Sequence, residues 1–151
     1  MFNSLMSIFK SKENSESDQL FNNGAIEVAC IFIRVGKLDN HLAEIEKDKI
    51  KGLLLKRFGL DRDILNSILT EAEEIENSIN DNVQLTKKIK QYINFEERFD
   101  LLKDIWEIIL ADKIKTDEEE SYMRLLCNLL GLSDRDNALA RKDVLEANEK
   151  K

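Results

Sequence analysis

The chain has 151 residues, of which 30 are acidic and 23 basic, with one histidine, two cysteines and no proline. Its net charge of −7, with no Lys/Arg run longer than Lys87-Lys88, argues against a sequence-independent nucleic-acid binder, which needs a basic stripe to release counterions. No stretch approaches the ~20 apolar residues of a membrane span, and the length suits one domain.

Phe2, Leu5, Met6 and Phe9 share one helical face at the start of the chain, with Lys10 and Lys12 after them. That pattern suits contact with a partner or weak attachment to a membrane surface. The same stretch lacks a leading positive charge and a small-residue cleavage site, so it does not read as a secretory leader. Ser11 to Ser17 are polar and read as a linker, so residues 1–17 form an N-terminal segment ahead of a domain over 18–147. Residues 148–151 are expected to fray.

Apolar residues at three- and four-residue steps predict seven helices. The first, about 18–35, carries Leu20, Phe21, Ala25, Val28, Ala29, Phe32 and Val35, with Cys30, Ile31 and Ile33 broadening the stripe. A helix apolar nearly all round belongs at the centre of a fold. The second follows Asp39 or Asn40, buries Ile50, Leu53, Leu54 and Phe58, and stops at Gly59. Asp61 caps the third, whose inner face holds Ile64, Leu65, Ile68, Leu69, Ala72, Ile75 and Ile79. Glu71, Glu73, Glu74 and Glu76 are expected on its outer face. A shorter helix covers about 83–93. Asn94 with Glu97 and Thr116 with Glu119 have capping-box spacing and open the fifth and sixth helices. Phe99, Leu102, Ile105, Trp106 and Ile109 line the fifth, and Tyr122, Leu125, Leu126, Leu129 and Leu130 the sixth, which ends at Gly131. Ser133 caps a seventh with Leu139, Ala140, Val144 and Leu145 inward.

The expectation is an all-α, single-domain helical bundle. A helix–loop–helix pattern occurs twice in degenerate form, in register at Gly59 and Gly131: Leu53, Leu54, Phe58 and Leu60 match Leu125, Leu126, Leu130 and Leu132.

The run from Ala111 through Asp112, Lys113 and Thr116 to Glu120, closing at Leu130-Gly131-Leu132-Ser133, resembles the TerB-like (tellurite-resistance protein B-like) family. Glu97 to Leu102 and Trp106 resemble its small bacterial branch. The resemblance implies an all-helical bundle that is cytoplasmic or at the inner face of the membrane, with metal binding or scaffolding as the usual roles. It maps a functional acidic pair onto Asp112 and Glu119. Lys113 departs from the family's glycine. In the first half Gly36 and Lys47 stand where Asp and Glu would be, with Glu46 and Asp48 beside Lys47.

The acids themselves carry two readings. Asp112 and Glu119, with Asp117 and Glu118 nearby, offer hard oxygen ligands for Ca²⁺ or Mg²⁺. Equally, acids in a helix's first turn complement its dipole and cap it. Lys113 and Lys115 exclude an EF-hand. His41 stands alone and reads as a loop residue, and Cys30 and Cys127 read as buried thiols in a reducing compartment. No catalytic constellation is spaced in the chain, and a hydrolase would need a juxtaposition that the sequence does not show. Taken with the resemblance, the expectation is a non-enzymatic TerB-like accessory protein with an unidentified protein partner, and the resemblance implies its link to stress or tellurite resistance. The alternative is a weak divalent-cation module at the second acidic loop.

Overall fold

The computed structural model describes residues 23–38, 42, 44–78, 81–112 and 116–150, with the backbone alone at residue 112. Among these residues the chain forms seven α-helices and no strand. They are α1 (Ala25–Gly36), α2 (Glu44–Phe58), α3 (Arg62–Ser78), α4 (Asn82–Tyr92), α5 (Phe95–Ile109), α6 (Asp117–Leu129) and α7 (Asp134–Glu149). A 3-10 turn, Leu110–Asp112, continues α5. The expected all-α bundle is thus what the chain forms.

The centre is α1. Every residue in it except Glu27 is buried, as its all-round apolar pattern requires. Around it pack α2, α3, α4 and α5. α7 lies against α5, and α6 joins α7 to α4. Phe32, Leu54, Ile68, Ile89, Leu102, Ile105, Trp106 and Met123 are among the large side chains fully buried in the core. Full burial of one such side chain stabilises by ~2 kcal/mol.

The helix ends follow local chemistry. Asp61 Oδ1 accepts from the Ile64 N–H at 2.8 Å, and Asn94 Oδ1 from the Glu97 N–H at 2.9 Å. Ser133 and Asp136 form a reciprocal capping box. Gly59 and Gly131 are both left-handed, at φ 61° and 79°. They close their helices differently. The Gly59 N–H bonds to the Leu55 carbonyl, a single bond of the simple left-handed cap. Gly131 instead belongs to a two-bond Schellman closure, with its own N–H on Asn128 O and the Leu132 N–H on Cys127 O. Leu60 and Leu132 then fold back into the core.

Several side chains depart from the expected faces. Leu125, Leu139 and Leu145 are exposed, not inside. On α6 the buried side is set by Tyr122, Met123, Leu126 and Cys127, and Leu125 falls beyond its edge. On α7 only Ala140 and Val144 are buried, because α5 and α6 cover a single narrow face. Of the four glutamates expected outside on α3, only Glu73 and Glu74 are exposed. Glu76 turns inward to Lys37 Nζ at 2.9 Å and Arg34 Nε at 3.7 Å, and Glu71 is buried. α7 runs through Glu149, into the stretch expected to fray.

Arg34 is the one cation on the buried helix α1, and it organises a polar junction. Its Nη1 donates to Asn82 Oδ1 at 2.6 Å, and the Tyr122 hydroxyl donates to the same oxygen at 3.0 Å. One amide oxygen therefore joins α1, α4 and α6. Replacing Asn82 with Ala removes the acceptor of two buried donors, and the expected loss is about 2–3 kcal/mol of unfolding free energy. Tyr122→Phe leaves the Arg34–Asn82 bond in place and is expected to lose about 1 kcal/mol. Urea unfolding of the two variants tests this, and equal losses would contradict the shared-acceptor geometry.

Candidate functional site

The 3-10 turn ending in Asp112 packs on α2. Beside it lies a cleft of about 460 Å³ lined by Ile45, Asp48, Lys49, Glu107, Leu110, Ala111 and Asn148. The start of α2, from the first half of the sequence, therefore meets the end of α5, from the second. Lys49 Nζ stands 3.9 Å from Glu107 Oε1 at this junction, and Ile45 is 56% exposed at its edge. The sequence pattern singled out the acids of each half but not this crossing between halves. In the sequence Asp48 stands out only as a neighbour of Lys47, and Glu107 carries no assigned role. No local signal marks Glu107 apart from its place one residue after Trp106.

Glu119 is 1% exposed and occupied by its own helix end. Its Oε1 accepts from the Thr116 N–H at 2.8 Å and the Thr116 hydroxyl at 3.2 Å. The Thr116 hydroxyl oxygen accepts in turn from the Glu119 N–H at 3.1 Å. That is the expected capping box, formed in full. Asp117 and Glu118, next to it, are exposed. Phe2, Leu5, Met6, Phe9, His41 and the side chain of Asp112 lie outside the described residues. Among the described residues, no group of three or more His, Cys, Asp or Glu side chains is placed to hold a metal ion.

In the first half, Lys47 is exposed and lies 3.4 Å from Glu44. The acid that turns inward is Glu46, 1% exposed and third in α2, as Glu119 is third in α6. Register counted back from the closing glycines falls one residue away, on Lys47, because Glu46 precedes Gly59 by 13 positions and Glu119 precedes Gly131 by 12. At Gly36 a Cβ would collide with Leu42 Cδ1. The glycine at this helix end admits the folded-back leucine.

A second cleft, about 380 Å³, holds Lys56, Arg57, Asp100, Lys103 and Asp104. Arg57 Nε and Nη2 grip Asp104 Oδ2 at 2.7 and 2.6 Å. Burial holds the Asp104 carboxyl above its usual range, against the pull of Arg57. The potential nucleophiles are held protonated. Burial, then the nearby Glu27, pushes the Cys30 thiol up to about 12, and burial with Asp136 and Asp134 pushes Cys127 up to about 11. Their Sγ atoms lie 3.6 Å from Ala72 O and 3.1 Å from Ser133 O. Burial also raises Tyr122, although Arg34 pulls the other way.

A family model described as tellurite resistance protein TerB matches residues 25–142. No curated protein and no solved structure matches the chain.

Two outcomes are expected from these environments. A soluble disulfide reagent such as DTNB at pH 8 should label neither Cys30 nor Cys127 in the folded chain and both in denaturant. Rapid labelling without denaturant would show an open core. Glu71 is 3% exposed, and its Oε2 has no hydrogen-bond partner among the described residues. Burial, then Glu74, raises its pKa above the usual 4.5. The folded chain thus holds this proton more tightly than the unfolded chain, so this group's contribution to stability falls as pH rises from 4.5 through the raised value. Glu71→Gln should therefore be more stable than wild type at pH 7. The difference should vanish toward acid pH, and thermal melts across pH read it directly. A variant less stable at pH 7 would mean that the charge is compensated.

Proposed function

The chain belongs to the tellurite resistance protein TerB family, matched over residues 25–142, and on that premise we propose that it is a non-enzymatic accessory protein that acts by contact with a protein partner. The supporting observation is the way the charges at its clefts are disposed. Lys49 faces Glu107, Arg57 clasps Asp104, and Glu119 caps α6, so these groups are engaged with one another. Large apolar side chains meanwhile stand out on a strongly charged surface, Ile45 at the cleft edge among them. Raised thiol pKa values fit the same reading, since a protonated buried thiol is a poor nucleophile. We place the protein in the cytoplasm, with a role in stress or tellurite resistance. No helix among the described residues is long and apolar enough to cross a membrane.

The test is reconstitution. A partner cross-linked to the full chain in the source cell should, once purified, form a complex of defined stoichiometry by light scattering. A chain that stays alone in such mixtures, and instead turns over a substrate with loss on Glu46→Gln or Glu107→Gln, would sink the reading.

A second reading is a weak Ca²⁺ or Mg²⁺ module using Asp112 and Glu119, with Asp117 and Glu118 nearby. What favours it is that the turn ending in Asp112 packs on α2, in the region where Asp48 and Glu107 line one cleft. Trp106, one residue before Glu107, supplies a fluorescence reporter. On this reading, emission should change saturably at roughly millimolar Ca²⁺ or Mg²⁺, with weaker binding in Asp112→Asn and Glu119→Gln. Identical titrations in wild type and both variants would leave the acids as caps and surface charge.

A further inference from the structure

Among the described residues, α4 differs from the other six helices in having no acidic residue. Its charges are Lys87, Lys88 and Lys90, in a chain whose net charge is −7. Leu85, Thr86 and Ile89 are buried, so one side of the helix is committed to α1 and α6. Val83, Lys87 and Lys90 follow at i, i+4 and i+7 and share the opposite side, flanked by Gln84 and Gln91. Lys87 and Lys90 are exposed and form no ion pair among the described residues, whereas Lys88 lies 3.7 Å from Glu27.

Apolar exposure also occurs along α4, with Val83 on the lysine face and Tyr92 on the flank toward Gly24. Val83 is 57% exposed at the start of α4, Tyr92 47% at its end, and Phe95 56% just beyond. These are three of the seven large apolar side chains that the described surface exposes. The backbone beneath them is firmly held. Asp81 caps the helix, the Thr86 hydroxyl donates to Asn82 O at 2.8 Å, and Asn82 is tied to Arg34 and Tyr122. A rigid helix whose Lys87 and Lys90 have no ion-pair partner among the described residues, with exposed Val83 beside them, has the character of a contact surface.

We propose that the outer face of α4 is where this protein receives its partner, and that the partner presents an acidic, partly apolar segment there. This rests on the reading of the protein as an interaction module. Charge complementarity selects the occupant: the chain is acidic overall, and α4 alone among the described helices has lysines with no acid interleaved, whereas the basic residues of α2 alternate with Glu44, Glu46 and Asp48. A second copy docked by a twofold axis would set Lys87 and Lys90 against their own equivalents, which is repulsive. Three lysines on an acidic body release too few counterions to hold a nucleic acid.

Poly-L-glutamate serves as the probe, titrated at low salt into the full isotope-labelled chain and followed by NMR and calorimetry. Saturable binding is expected, with shifts confined to residues 82–95. Lys87→Glu/Lys90→Glu should bind about tenfold or more weakly with an unchanged melting temperature, while Lys142→Glu on α7 should bind as wild type does. No saturable binding, or binding unaltered in the double variant, overturns the proposal. So does stronger partition onto phosphatidylglycerol vesicles than onto polyglutamate, which would make the face a lipid contact. If a reconstituted complex with a native partner survives the double substitution, the assignment to α4 fails and the interaction reading stands.

Discussion

The constraint on which the rest depends is the burial of α1. A 12-residue helix with apolar side chains on nearly every face cannot lie on a surface without exposing one of them. Four helices must therefore surround it, and α2, α3, α4 and α5 do so. The remaining two are outworks, with α7 sealing α5 and α6 linking α7 back to α4. Burial of this kind is the dominant favourable term and has no direction of its own. Direction comes from the polar groups that must be satisfied where the apolar wrapping is incomplete.

Arg34 shows how this works. Its guanidinium is carried into the interior by α1 and cannot be neutralised by losing a proton. It therefore needs acceptors, and Asn82 and Glu76 supply them from α4 and α3. Tyr122 then meets Asn82 from α6. A single buried cation thus fixes the relative placement of four helices. The Arg57–Asp104 pair does the same on a smaller scale between α2 and α5. Such pairs contribute little net stability when measured against apolar replacements, yet they select one arrangement among several apolar ones.

Local signals were legible in the chain itself. Asp61, Asn94, Thr116 and Ser133 cap the helices they precede, because a side-chain oxygen two or three residues from an unsatisfied N–H needs no tertiary help. Gly59 and Gly131 end helices because they alone accept the left-handed conformation cheaply. The acids were harder to place. Glu46, not Lys47, turns inward on α2, one position away from the register of Gly59 and Gly131, and one position is about 100° around a helix. Glu71 and Glu76 sat in a run that reads as a solvated face, and only the approach of Arg34 and Lys37 draws Glu76 in.

The sequence by itself determined the helical class, the central rank of α1, the caps and the closing glycines, and membership of the family, matched over residues 25–142. These depend on contacts within a few residues, or on a periodicity that each helix carries alone. Only the tertiary structure decided which flank of each helix is covered. It left Leu125, Leu139 and Leu145 outside, because the neighbours of α6 and α7 reach other faces. It also brought Asp48 of α2 and Glu107 of α5 to one cleft, and set an acid-free α4 with its lysines outward. The physical reason is the same throughout. Periodicity says that a helix has an apolar side, but how wide a strip is buried, and which polar groups meet at its edge, depends on the crossing of helices that are distant in the chain.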